Sequence, residues 1–160
     1  MDLSLTPIYK HQQQPLIQPF VELLYMIRHP MSIAPTRSYR TSAGMDLYSC
    51  EPFIIKPLTQ GVINTGVCCK MPHGYYGRIA DRSSIAIQHQ VFIMGGVIDE
   101  GYTGSIHVIM YNLSKTKKYY VYANSKIAQL IIEKICYPEL QCVRELPQSD
   151  RGDKGFGSSD

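Results

Sequence analysis

Apolar and polar positions along this chain alternate in short runs, not in long helical stripes. Runs of β character fall at 21–27, 53–56, 62–70, 75–80, 91–94, 105–113, 118–122 and 127–136, and Gly, Pro, Asn or Asp separates most of them. Short strands at this spacing predict a sandwich or barrel. One run is ambiguous. Ile127, Leu130, Ile131 and Ile135 fit a helical face as well as a buried strand, and β-branched enrichment favours strand. Residues 83–90 are the best helix candidate, with Ser83 or Ser84 as the cap. Residues 31–44, rich in Pro, Ser, Thr, Arg and Gly, read as a loop.

The two ends depart from this pattern. Pro7, Pro15 and Pro19 interrupt residues 1–20, which read as a flexible extension. Residues 147–160 are polar, with three glycines and Phe156 as the sole aromatic, so they read as an arm that orders only against a ligand or partner. A domain over 21–146 remains between them. Composition agrees with one all-β domain: 160 residues, 44% hydrophobic, 18% charged, with twelve Gly, ten Pro and twelve Tyr. A net charge of +3 does not by itself imply nucleic acid and is as compatible with a small anion. No apolar run approaches the ~18 residues of a membrane span. The first 15 residues show no secretory pattern. Cys50, Cys68, Cys69, Cys136 and Cys142 are odd in number and lack metal-site spacing, so reduced, mostly buried thiols are expected in the cytosol or nucleus.

Five patches carry candidate chemistry. Residues 43–47 place Gly44 beside Asp46, which suits a turn aiming one carboxylate, though taken alone the patch reads first as an acid bonded to turn amides. Residues 77–86 set Arg82, Ser83 and Ser84 at a helix start, where free N–H groups and a guanidinium favour phosphate; an ordinary cap beside a surface arginine explains them equally well. Residues 95–104 read as a hairpin around Gly96, Val97, Ile98, Asp99 and Tyr102. Its glycines permit close backbone approach, and Asp99 is a candidate general base or a solvated tip acid. Gln129 lies inside an apolar strand and needs partners, structural or ligand, if buried. Residues 151–159 surround Phe156 with Arg151, Gly157, Ser158 and Ser159, which suits either a clamp on a base and its phosphates or a free tail.

Together, and in this order, the patches resemble the five motifs of the trimeric deoxyuridine triphosphatase (dUTPase) family, in its animal and viral branch. GRIADRSSIA, GVIDEGYTG, KIAQLI and RGDKGFGSS carry the resemblance, with CYPELQCV as a flank. It implies a jelly-roll-like β-barrel, all-β, forming a homotrimer whose C-terminal arm is exchanged between subunits. It also implies hydrolysis of dUTP to dUMP and pyrophosphate, which keeps uracil out of DNA and supplies dUMP for thymidylate synthesis. Asp99 matches the catalytic aspartate and Asp46 the acid that holds hydrated Mg²⁺ through water. Arg82, Ser83, Ser84 and Gln129 match the phosphate-binding set. Gly96, Val97 and Ile98 match the backbone that reads uracil, and Tyr102 the ring on the deoxyribose. Phe156 matches the lid, and Arg151, Gly157 and Ser158 the arm's phosphate grip. Neither nucleic acid nor membrane is expected as a partner.

Four positions depart from the family pattern: Asp81 for Pro, Ser84 for Gly, Gly101 for Asp and Lys126 for Arg. The expectation for Asp81 is a pair with Arg78 that holds the motif's backbone. The alternative function is a catalytically weak regulatory module of the same fold that binds a protein partner. A single-strand-binding reading of the Lys- and Tyr-rich run at 115–122 carries little weight beside a solvated edge strand.

Overall fold

The computed structural model describes residues 21–153. The extension over 1–20 and the arm residues Phe156, Gly157, Ser158 and Ser159 lie outside the described residues. The elements are β1 (Leu24–Ile27), β2 (Met45–Tyr48), β3 (Phe53–Ile55), β4 (Gln60–Lys70), β5 (Tyr75–Ala80), α1 (Ser83–His89), β6 (Val91–Met94), β7 (Val97–Ile98), β8 (Ser105–Asn112), β9 (Tyr119–Val121) and β10 (Lys126–Lys134). They form antiparallel sheets ordered β1-β4-β8-β6 and β2-β10-β5-β7, with β3 and β9 paired as a third. The expected all-β architecture holds, and the ambiguous run is the strand β10.

Strand alternation builds the core. In β8, Ile106, Val108, Met110 and Asn112 point inward and are buried, while the residues between them are more open. Ile106, Val108 and Met110 join Leu47, Ile63, Ile79, Leu130 and others in one cluster to which every strand except β1 contributes. Burying each Leu, Ile or Val side chain in full is worth roughly 1.5–3 kcal/mol. The amide of Asn112 is paid for in hydrogen bonds: Nδ2 donates to Ile55 O (3.1 Å) and Lys117 O (2.8 Å), and Oδ1 accepts from Ser114 N–H.

Several sequence expectations change. β2 was expected as part of a turn; MDLY is too short and too polar to advertise a strand. Arg82, not a serine, is the residue that caps α1, and it makes no side-chain cap bond. The run at 95–104 is not a simple hairpin. β6 and β8 pair in one sheet, while β7 between them crosses to the other and pairs with β5. Cys50, Cys68 and Cys69 are buried as expected, but Cys136 and Cys142 are exposed because the chain after β10 lies outside the core. No helix among the described residues is long and apolar enough to cross a membrane.

Candidate active site

Sheet order explains how patches far apart in sequence meet. In the second sheet the strands β2, β10, β5 and β7 carry, in that order, the first, fourth, second and third patches. Asp46 stands opposite Gln129, and Gln129 opposite Ala80, two residues before Arg82.

Asp46 is 9% exposed, and a carboxylate that far from water needs partners. Arg82 Nε lies 3.2 Å from Oδ1 and Lys126 Nζ 2.7 Å from Oδ2. The bond to Asp46 pushes the Lys126 pKa up and holds it as an ammonium. Arg82 also donates through Nη1 to Lys126 O, so most of its five donors stay available to an anion. Gln129 Nε2 donates to Asp81 O at 2.7 Å, which leaves its second N–H. Its close packing needs Gly44: a Cβ there would lie 2.3 Å from Gln129 Oε1.

Ser83 and Ser84 are exposed at the start of α1. First-turn N–H groups of a helix have no partner within it, so this end is open to an acceptor. Among the described residues no three of His, Cys, Asp and Glu converge as a metal cage. Both Asp46 oxygens already face cations, so a Mg²⁺ here would be held mainly by a polyphosphate and would meet this carboxylate only through its own waters, which it gives up reluctantly.

Asp81 does not pair with Arg78. Arg78 Nη2 instead meets Glu133 Oε1 at 2.7 Å across the β5–β10 ladder. The Asp81 carboxylate accepts the Ile93 N–H at 2.6 Å and so ties the second patch to β6, at the edge of the other sheet. Replacing Asp81 by Ala is expected to cost about 0.5–1.5 kcal/mol of stability, the usual worth of one hydrogen bond. The KM for nucleotide should change only a few-fold, because the carboxylate is already engaged. Thermal melting and steady-state kinetics check both; a hundredfold gain in nucleotide affinity would instead place that carboxylate against the phosphates.

The third patch is built differently. β7 is the edge strand of its sheet. Ile79 N–H donates to Gly96 O at 2.7 Å, and Gly77 pairs with Ile98. Residues between such bonded pairs aim their N–H and C=O away from the neighbouring strand. Val97, opposite Arg78, therefore presents its backbone outward, one donor and one acceptor side by side. Ile98 is buried and anchors the strand, and the next residue, Asp99, is exposed. The Tyr102 N–H donates to Asp99 O at 3.1 Å and closes the turn. Tyr102 Oη donates to Ser105 O at 2.8 Å, which fixes a ring that is 42% exposed.

These two groups do not meet within one chain. Ile98 and Asp46 are three strand spacings apart and three residues out of row, roughly 17 Å from the strand dimensions. Arg151 is exposed on a segment with no strand or helix. Sequence reading missed the contact of Lys126 with Asp46, because nothing marked Asp46 as buried. It also missed Glu100, which bonds to Tyr137, 37 residues further on.

A family model described as dUTPase matches residues 31–160. The chain is 43% identical over 126 residues to the human mitochondrial deoxyuridine 5'-triphosphate nucleotidohydrolase, a match that takes in 79% of this chain and 50% of the human protein. It is 46% identical over 126 residues to the monkeypox virus protein of the same name, covering 79% of this chain and 82% of the relative. The chain thus spans half the length of the human relative and most of the viral one. The Staphylococcus bacteriophage 80alpha dUTPase, solved with dUPNHPP, superposes with a TM-score of 0.83 at 30% identity, over 87% of this chain and 98% of its own. With the match running from the loop before Asp46 through all five patches, the chain belongs to the dUTPase family.

Proposed function

We propose that the protein hydrolyses dUTP to dUMP and pyrophosphate. The second sheet carries this reading: it lines up four of the five motif patches in a chain 43–46% identical to proteins named deoxyuridine triphosphate nucleotidohydrolase. Arg82, Lys126, Gln129 and the hydroxyls of Ser83 and Ser84 hold the triphosphate. The outward backbone of Val97, flanked by Gly96 and Ile98, pairs with uracil, and Tyr102 packs on the deoxyribose. The Asp99 carboxylate takes the proton from the water that attacks the α-phosphorus. Asp46 would hold a hydrated Mg²⁺ through water, and that ion, carried mainly by the phosphates, would supply charge neutralisation. The protein's own contribution is position and electrostatics.

The separation of Asp99 from the Asp46 cluster favours a site shared between subunits of a homotrimer. Val62, Ile109 and Met94 form one cross-strand row on the outer face of the first sheet, with Phe92 beside it. All of β1 is exposed as well. Apolar surface of that kind marks an interface. Light scattering of the purified protein reads the assembly. Within it, residues 147–160 serve as the arm: Arg151, Gly157 and Ser158 grip phosphate and Phe156 covers uracil. Free thiols suit the cytosol or nucleus, which cell fractionation checks. The engaged carboxylate of Asp81 gives no support to the regulatory-module alternative.

The test is a nucleotide panel of dUTP, dTTP, dCTP and UTP with Mg²⁺, read as pyrophosphate release. dUTP should be turned over far faster than the rest. A site whose buried polar groups match one substrate rejects analogues that leave them unpaired, by as much as about 10⁴-fold. Comparable turnover of UTP would remove the sugar-excluding role from Tyr102, and absence of dUTP turnover would sink the whole reading.

A further inference from the structure

The exposed carboxylate of Asp99 makes no hydrogen bond or ion pair among the described residues. Its position depends on the backbone that carries it, so whatever fixes that backbone fixes the base. Gly101 follows two residues later, and a Cβ there would meet nothing within 4 Å. The bond from Tyr102 N–H to Asp99 O spans this turn, and Gly101 inside it brings no side chain to pack on a neighbour.

The next side chain along supplies what the turn lacks. Glu100 Oε2 accepts the Gly74 N–H at 2.9 Å and the Tyr137 hydroxyl at 2.5 Å, while Oε1 meets His73 Nδ1 at 3.0 Å. Lys70 Nζ donates to the Glu100 carbonyl at 3.3 Å. Gly74 sits at φ +77, a conformation that glycine adopts without strain. The Tyr137 ring stacks on His73 with centroids 6.4 Å apart. The bonds from Tyr137, Gly74 and His73 hold the Glu100 carboxyl down to about 2, so it is an anion at neutral pH. Tyr137 lies three residues beyond β10, where the chain leaves the sheet toward the C-terminal arm.

We propose that Glu100 is a positioning residue for dUTP hydrolysis: its carboxylate locks the turn bearing Asp99 onto the 72–74 turn and onto Tyr137, just beyond β10. This rests on the dUTPase reading above. Glu100 touches neither substrate nor water in this scheme; it acts through the place it gives Asp99.

The test compares the parent with Glu100→Gln and Tyr137→Phe, in dUTP kinetics, thermal melting and amide hydrogen exchange. Glu100→Gln keeps the shape and loses the anion. Its kcat should fall about ten- to a hundredfold, the cost of a small misplacement, with KM within about threefold. Exchange should speed up at residues 98–104 and at Gly74, while the melting temperature stays close to the parent's. Tyr137→Phe should do the same to a smaller extent, and it carries the test if Glu100→Gln does not fold. The double variant should lose little more than Glu100→Gln alone, because both act through one contact. Parent-like kcat and parent-like exchange in Glu100→Gln would overturn the proposal. So would a fall of kcat together with a rise of KM and a lower melting temperature, which marks a purely structural residue. A parent that fails to hydrolyse dUTP would instead strike the functional reading, and the exchange data would still decide whether Glu100 holds the turn.

Discussion

Replacing Asp99 by Asn is expected to leave nucleotide binding intact and to remove most turnover. The substitution keeps shape and hydrogen-bonding reach but cannot take a proton from water. General-base catalysis typically contributes 10²–10⁴-fold, so a loss of about a thousandfold in kcat is expected. Binding should survive because the phosphate-side contacts lie on other strands, around Asp46, Arg82 and Gln129. Isothermal titration with a non-hydrolysable dUTP analogue, alongside kcat, separates the two effects. Turnover within a few-fold of the parent would mean that another group is the base. The same variant tests whether sites are shared. A chain cut before Arg151 should also be nearly inactive. Refolded with the Asp99→Asn chain into mixed trimers, it should recover activity wherever an intact Asp99 and an intact arm meet. Hybrid trimers without any recovery would argue for self-contained sites.

Replacing Gly96 by Ala is expected to destabilise the protein and damage the uracil side of the site together. A Cβ at residue 96 would lie 2.4 Å from the Ile79 carbonyl oxygen. That oxygen belongs to the backbone of β5 and cannot swing away as a flexible side chain would. Relief requires β7 to move off β5, which lengthens the bond from Ile79 N–H to Gly96 O. Overpacking of this kind costs typically 1–3 kcal/mol, and the upper half of that range is expected here. For a domain of this length that corresponds to a fall in melting temperature of roughly 5–10 °C. The displaced strand also carries the Val97 backbone, so KM for dUTP should rise well beyond tenfold. Scanning calorimetry and kinetics check the pair; an alanine variant with parent-like melting would show that β7 yields at no cost.

Much of this arrangement was legible in the chain. Alternation in residues 105–112 and the turn residues around the strands gave the all-β architecture, and the motif patches named candidates, of which Asp46, Arg82 and Gln129 come together in the second sheet. What escaped was anything set by partners distant in sequence. Asp46 looked like a turn acid because its cations, Arg82 and Lys126, arrive from other elements. Asp81 sits three residues from Arg78, close enough to suggest a pair, yet Glu133 on the neighbouring strand claims the arginine. The run at 95–104 has a hairpin's composition, and no local pattern says that its middle joins the opposite sheet. Gly96 does mark the spot, since it alone lets the chain pass so near Ile79.

The central place of β10 has a consequence for how the protein is made. β2 and β5 have no ladder with one another; β2 is joined to the pair of β5 and β7 only through β10. A ribosome emits β2, then β5, then β7, and β10 last of all the strands. Until residues 126–134 emerge, the nascent chain holds one orphan strand and a separate two-stranded fragment in place of this sheet. Asp46 then has neither Lys126 nor the row that aligns it with Arg82. The row that holds Asp46, Arg82 and Lys126 together therefore exists only once β10 is in place, and the early strands must wait, unpaired on one side, for the last one to arrive.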